Sequence, residues 1–361
     1  MPRKKKSMLL RPSASSPPNV AVIGAGIAGL TCARTLAQAG AKVTVFEQAA
    51  QVGGRMACCE TPFGTFDHGT QYFTIRDPRF QQALVTAADA FRPWSANAVR
   101  VLDPHGRVAE ASLPTREPHF VGAPRMDSLA RQWARPLLDA GAIELRTHVT
   151  RIEVDALHPQ RWQLQTSGAD DSVHVFSGFN AVLLAIPCAP AMALLRASAQ
   201  PALGAAMEAV DVAPCWSLML AFPNAMQPTL VTLGPQWNAA LSTHHRIAWL
   251  ARESSKPGRS LVERWTVQAS PAWSQEHLDD DEATVLAKLH KAFAEVTGIR
   301  AEPSYSKVFR WRSAKTMTAL GKPMLWEQKL GLGACGDWCL GHRVEDAFVS
   351  GLELALAVAR G

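Results

Sequence analysis

Near the start of this 361-residue chain, three glycines, an acid and an arginine have the types and spacing to hold a diphosphate. Gly24, Gly26 and Gly29 form a G-x-G-x-x-G pattern that also includes Ala28. Gly24 allows a tight turn. Gly26 puts no side chain between the backbone and a pyrophosphate, and Gly29 lets a helix lie close on a strand. Free N–H groups at the helix N-terminus then face the phosphates with the positive end of the helix dipole. Glu47 lies 23 residues after Gly24, where an acid can bond ribose hydroxyls, with Gln48 next to it. These features serve FAD and NAD alike. Gln51-Val52-Gly53-Gly54-Arg55-Met56 follows directly. Its glycine pair permits close approach of a ligand, and Arg55 adds a fixed cation near the phosphates.

A glycine trio alone is a weak signal and gains meaning only between a strand and a helix. The surrounding sequence supplies both. NVAVIG, from Asn19, is a short apolar run rich in β-branched residues and reads as a buried strand. GAGIAGLTCARTLAQAG reads as a helix stopped by Gly40, and KVTVFE as a second strand. Residues 19–47 thus form one strand–helix–strand unit of the expected length. Residues 142–155, 161–166 and 171–177 read as strands of a meander, and 179–187 as a buried strand ended by proline. Residues 215–267 hold several strand-like runs. DDDEATVLAKLHKAFAEVTG, 279–298, predicts an amphipathic helix with acids at its start and glycine at its end. The chain closes with a glycine-rich strand-turn, GLGACGD, and a helix from about Val344 to Ala359. No repeat of 20–50 residues is present.

Composition narrows the class. Hydrophobic residues make up 47% and charged residues 19%, the balance of a folded globular chain. At about 150 residues per domain, the length predicts roughly two domains. The net charge of +6 is mostly local, because Arg3, Lys4, Lys5, Lys6 and Arg11 supply five of those charges. A nearly neutral body argues against a nucleic-acid partner. Residues 1–17 read as a disordered basic leader, with an apolar part too short for a signal peptide. No run approaches the roughly 18 apolar residues of a membrane span. The seven cysteines are an odd count without a disulfide framework, which points to a reducing, cytoplasmic location. Cys335 and Cys339 have no second ligand pair, and His244-His245 has no further ligand, so no metal site is read.

The glycine-arginine run after Glu47 resembles the flavin-containing amine oxidase superfamily, whose members carry such a run after the ribose-binding acid. The resemblance narrows to the renalase-like branch. Phe66-Asp67-His68-Gly69-Thr70-Gln71-Tyr72-Phe73-Thr74 is similar to the segment that approaches the flavin in that branch. Trp311-Arg312 resembles its tryptophan-arginine run near the flavin ring, and Gly333-Ala334-Cys335-Gly336-Asp337 its late Gly-Asp motif at the ribityl chain. Arg343-Val344-Glu345-Asp346-Ala347 opens the last helix, which the resemblance aims at the pyrimidine side of the flavin, and Val149 matches a position whose backbone touches adenine. The similarity runs from about Val20 to the C-terminus, patchily through 190–300.

The resemblance implies non-covalently bound FAD. Its implied cofactor contacts are Gly24, Gly26, Ala28, Gly29, Glu47, Gln48, Gly54, Arg55, Met56, Gln71, Tyr72, Val149, Gly336, Asp337, Val344 and Glu345. His68, Tyr72, Trp311 and Arg312 are the implied catalytic candidates. Four of these residues also have a plainer reading: Asp337 as a turn residue, Trp311 as a core aromatic, His68 as a hydrogen-bonded structural histidine, Tyr72 as packing. The expected fold is α/β, a Rossmann-like FAD domain interleaved with an α+β substrate domain on a mixed sheet. Residues 18–77, 125–190 and 315–361 are assigned to the first, and 78–124 and 191–314 to the second. The implied activity is oxidation of a dihydronicotinamide-type donor (isomeric NAD(P)H), with O2 as acceptor and H2O2 as product. An amine oxidase or desaturase on the same scaffold is the alternative, and a non-catalytic flavoprotein interaction module a further one. Amine oxidases commonly place a lysine on a substrate-domain strand, and Cys215–Phe222 has none.

Overall fold

The computed structural model describes residues 17–94, 99–109, 117–168, 172–226 and 237–360. The proposed leader therefore lies almost wholly outside the described residues.

The first sheet has six strands in the order Leu325–Glu327, Leu332–Ala334, Ala181–Leu184, Asn19–Ile23, Lys42–Glu47, Ile143–Leu145. All neighbours are parallel except the edge pair 325–327 and 332–334. Parallel strands are covered on both faces, which explains the continuous apolar runs of the central two. Val20, Val22, Leu183 and Val45 are fully buried. Helix Ile27–Gln38 crosses from the central strand to Lys42–Glu47 and lies against the C-terminal helix Val344–Arg360. That crossing is close: a Cβ on Gly351 would sit 2.2 Å from the Ala28 carbonyl oxygen. The other face is covered by an antiparallel sheet of His148–Val154, Trp162–Ser167 and Val173–Phe179. Phe46 meets Phe176 there, with ring centroids 4.9 Å apart.

The second sheet has seven strands in the order Tyr305–Thr318, Asp211–Phe222, Glu263–Ala269, Ile247–Arg252, Ala239–Ser242, Val99–Leu102, Val108–Ala109. It is mixed, because Ala239–Ser242 runs parallel to Val99–Leu102. Helix Glu282–Thr297 packs Val285, Leu289 and Phe293 into this sheet's own apolar core beside Trp265. Asp281 caps it by accepting from Thr284 N, and Gly298, at φ 74°, ends it in the left-handed region.

Two local differences from the sequence reading have physical reasons. The run 142–155 is two strands. Arg146 takes a positive φ of 55°, so Ile143–Leu145 joins the parallel sheet and His148–Val154 the antiparallel one. The helix predicted from 279 starts at Glu282, where Asp281 supplies the cap. Segment 78–124 is also divided: Phe80, Leu84, Trp94 and Val121 belong to the buried cluster that includes the first helix, while Val99–Leu102 joins the seven-stranded sheet. Strand Tyr305–Thr318 runs unbroken through residue 314.

Candidate active site

The turn after the first strand treats its three glycines differently. Gly24 has φ 105°, and a Cβ there would sit 2.6 Å from the Ala185 carbonyl oxygen. A Cβ on Gly29 would lie 1.9 Å from the Gly24 oxygen. The protein's own packing therefore demands both glycines. Gly26 is different. Its φ of −76° suits any residue, and a Cβ would meet nothing nearer than Gly54 Cα at 4.0 Å. It also caps the first helix without a side chain that could satisfy the first-turn N–H groups. The open ground in front of Gly26 and the unsatisfied helix end fit a diphosphate.

Glu47 closes the second strand with a buried carboxylate. Its Oε2 accepts from Ala25 N at 2.7 Å and its Oε1 from Ala49 N at 2.8 Å. Each oxygen keeps a lone pair for a ribose hydroxyl. Gln48 is exposed beside it. Gly53 N donates to the Ala25 carbonyl at 2.9 Å, which ties the second glycine run to the first. Gly53 and Gly54 both have positive φ, 125° and 54°. Ala28 and Met56 are buried in the apolar core.

Arg55 and Asp337 form a two-point ion pair, with Nη1 2.9 Å from Oδ2 and Nη2 on Oδ1. Gly336 N donates to Ser350 Oγ of the C-terminal helix at 2.9 Å, which fixes this late turn. Arg55 also offers its carbonyl to Thr70 N at 2.9 Å. The turn at 67–71 is thereby drawn against the glycine-arginine run. His68 stacks on Trp311, with centroids 5.2 Å apart, and meets Phe309 at 4.4 Å. Trp311 Nε1 donates to the His68 carbonyl at 2.9 Å. His68 Nδ1 is buried with no hydrogen-bond partner. Burial lowers the imidazole to about 4, which keeps it neutral near pH 7.

The sequence-derived candidates thus divide. Gly24, Gly26, Gly29, Glu47, Gly54, Arg55, Gln71, Gly336 and Asp337 lie on the first turn and on segments bonded in series through Ala25, Arg55 and Thr70. His68 and Trp311 meet. Tyr72 stands with a different group, its ring 4.1 Å from His119 and 5.5 Å from Trp249. Arg312 points elsewhere, into an exposed pair with Asp279 at 3.1 Å. Alternation along strand Tyr305–Thr318 separates it from Trp311. Glu345 is buried, and its Oε2 accepts from Arg76 N and Asp77 N at 2.5 and 2.7 Å. Val344 is half-buried at the start of the last helix. Val149 is buried in the antiparallel sheet, paired with Thr166.

A group of buried charges went unread in the sequence. Lys256 and Asp67 have fully buried side chains 2.9 Å apart, with Glu253 and Arg259 beside them. Nothing local in Glu253-Ser254-Ser255-Lys256-Pro257-Gly258 sets it apart from a polar surface turn. Among the described residues, no group of three or more His, Cys, Asp or Glu could hold a metal. His244 contacts Glu295 at 3.4 Å. No helix among the described residues is long and apolar enough to cross a membrane.

Fold and site together define an α/β protein whose six-stranded parallel sheet carries a glycine turn of the kind that accepts a dinucleotide. Residues 22–87 match the NAD(P)-binding Rossmann-like domain family. Over 58 residues the chain is 45% identical to a 4,4'-diapophytoene desaturase (4,4'-diaponeurosporene-forming) of Staphylococcus haemolyticus, covering 16% of this chain and 12% of that protein. Over 74 residues it is 55% identical to the flavin-containing monooxygenase FMO GS-OX-like 6 of Arabidopsis thaliana, covering 18% of this chain and 16% of that protein. The matched stretch is thus a small part of either relative. Whole-chain likeness is structural. A protein from Exiguobacterium sp. 255-15, assigned as a protoporphyrinogen oxidase, superposes with a TM-score of 0.73 at 13% identity, over 96% of this chain and 100% of that one. A putrescine oxidase redesigned in its cofactor binding superposes with a TM-score of 0.67 at 12% identity, over 96% and 99%. At such identities the shared property is the fold.

Proposed function

We propose that this chain is an FAD-dependent oxidoreductase of the amine oxidase and desaturase type, and within it a renalase-like oxidase. Its donor is then a dihydronicotinamide (isomeric NAD(P)H), its acceptor O2 and its product H2O2. The observation that carries the flavoprotein reading is the cradle at Gly26. Neither backbone strain nor packing requires a glycine there, yet the open ground faces an unsatisfied helix end. The fold shared with two oxidases supports the same reading.

When bound, FAD supplies the two-electron chemistry, accepting a hydride at its N5 atom. The chain's residues bind, orient and exclude water. The first helix and Arg55 hold the diphosphate, Glu47 the ribose, and Asp337 the linker. His68, Phe309 and Trp311 pack their rings together beside the turn. Oxidation of a dihydropyridine to its aromatic cation releases no proton and needs no base. A neutral His68, and acids already paired with cations, suit that demand. The amine oxidase or desaturase reading is supported by the likeness to putrescine oxidase and by the local similarity to the desaturase.

The test is a spectrum of the purified protein followed by anaerobic mixing with 6-dihydro- and 2-dihydro-NAD(P) and a panel of amines. A flavin band near ~450 nm that bleaches with the dihydronicotinamides supports the full proposal. Bleaching by amines alone transfers the assignment to the alternative. A colourless protein that takes up no FAD removes both.

A further inference from the structure

The buried charges on the loop 253–259 lie on the seven-stranded-sheet side of the molecule, yet they touch the turn that meets Arg55. Lys256 Nζ donates to Asp67 Oδ2 and Glu253 Oε1, each at 2.9 Å, and to Gln71 Oε1 at 3.3 Å. Arg259 Nη2 donates to Asp67 Oδ2 at 2.8 Å. Thr266 Oγ1 donates to Glu253 Oε1 at 2.8 Å. Two cations and two acids are thus packed against one another in the interior. Burying them costs several kcal/mol per ion before pairing offsets it, so stability alone is a poor reason for their presence. An apolar set of the same volume would hold the loop at least as well.

The network does something an apolar set does not. A lysine ammonium can only donate. Lys256 therefore turns the Gln71 carboxamide so that its oxygen faces the ammonium and its Nε2 faces the turn. Nε2 donates to the carbonyls of Asp67 and of Gly69, the latter at 3.1 Å. Gln268 Nε2 holds the same Gly69 carbonyl at 2.6 Å. Thr70 N and Thr70 Oγ1 then reach the Arg55 carbonyl at 2.9 and 3.1 Å. The fit is tight, since a Cβ on Gly69 would meet the Arg55 carbonyl oxygen at 2.1 Å and Trp311 Cζ2 at 3.1 Å.

We propose that Lys256 is a positioning residue: by orienting the Gln71 carboxamide it sets the 67–71 turn against Arg55 and Trp311, and so shapes the cofactor site from the opposite sheet. Burial favours the neutral form of Glu253. Losing Lys256 removes a cation that opposes this effect and leaves Asp67 still paired with Arg259, while Gln71 loses its reference. The contact network itself does not depend on the assigned chemistry; only the flavin readout below rests on the FAD reading.

The test compares wild type, Lys256→Met, the double variant Glu253→Gln/Lys256→Met, and Gln71→Ala. Thermal midpoints and amide hydrogen exchange over residues 66–74 are read in the full chain. The double variant removes the acid that Lys256 leaves behind, so its midpoint should return towards wild type. Exchange across 68–71 should nevertheless stay about ten-fold or more faster in all three variants, the signature of local opening without global unfolding. Affinity for added FAD should fall by about ten-fold in parallel, one step of the tenfold scale. A double variant that regains both midpoint and exchange protection overturns the proposal and leaves a purely structural network. Should both lysine variants fail to fold, Gln71→Ala decides, and unchanged exchange there overturns it. Hydrogen exchange needs no cofactor, so a protein that refuses FAD overturns the flavoprotein reading without deciding this one.

Discussion

The Arg55 guanidinium and the Asp337 carboxylate meet at two points although they stand 282 residues apart in the chain. One ends the glycine run beside the first helix, and the other follows the last strand of the same sheet. Their pairing closes the first domain around its own turn. A planar fork on a carboxylate fixes orientation as well as distance.

Breaking that fork should loosen the cradle more than the fold. Asp337 is almost fully buried, whereas the Arg55 side chain is 28% exposed and can rehydrate. Asp337→Asn should therefore cost about 2 kcal/mol, less than the ~3–5 kcal/mol of a fully buried pair. Arg55→Lys keeps the charge but loses the fork, and FAD affinity should fall by about ten-fold. Urea unfolding and flavin titration check the two values. Equal FAD affinity in wild type and Arg55→Lys would remove Arg55 from the cofactor site.

Gly24 and Gly26 offer a paired test of ligand against fold. Alanine at Gly24 must adopt φ 105° and push into the Ala185 carbonyl, so Gly24→Ala should unfold the chain or cost upwards of ~3 kcal/mol. Alanine at Gly26 meets no protein atom closer than 4.0 Å. Gly26→Ala should leave the apoprotein's stability within about 0.5 kcal/mol of wild type. It should also reduce FAD uptake by at least ~100-fold, because the methyl group stands where a phosphate approaches. Calorimetry of the apoprotein and flavin titration separate the outcomes. Undiminished uptake in Gly26→Ala would mean that the ligand lies elsewhere.

What the sequence made legible was local. The strand–helix–strand unit announces itself because turn chemistry, apolar periodicity and the acid at Glu47 all fall within one short segment. The pairing of Arg55 with Asp337 was not read from the sequence, since nothing local links the two positions. Arg312 shows how far neighbours in sequence can diverge in space. It sits next to Trp311 in sequence, and strand alternation sends it to Asp279 instead. Glu345 shows the same limit, because its partners are backbone N–H groups of a distant loop. Lys256 was invisible for a different reason: a lysine among serine, proline and glycine is ordinary on a surface, and only tertiary packing buries it.

His68 should make the protein less stable in mild acid. Burial lowers its imidazole to about 4 from an ordinary 6.5, with Asp67 opposing the shift and Lys307 adding to it. Between those values the unfolded chain binds a proton that the folded chain does not. Stability then falls as pH drops from 6.5 towards 4, by up to about 3 kcal/mol. His68→Phe keeps a ring against Trp311 and removes the titration. Its stability should exceed that of wild type increasingly as pH is lowered through this window. Parallel stability–pH curves for the two proteins would show that His68 is accessible to protons in the native state.

Asp67 should show the opposite sense of dependence. Burial alone pushes its carboxyl up, but Lys256 and Arg259 overcome that and hold it well below the usual carboxylate range. Its contribution is therefore fully present above the unfolded value of 3.8 and is lost as pH falls towards the depressed folded value. Asp67→Asn leaves two buried cations facing one acid. The loss near neutral pH should be about 3–5 kcal/mol, the cost of removing one partner from a buried pair. Glu253 limits it, because with its like-charged neighbour gone it can ionise against Lys256. The gap between wild type and Asp67→Asn should then narrow below about pH 4, where the unfolded wild-type chain binds a proton at Asp67 that the folded chain does not. Urea denaturation at pH 7 and at pH 3 measures both ends. A gap that stays constant or widens in acid would mean that Asp67 is not held ionised by the two cations.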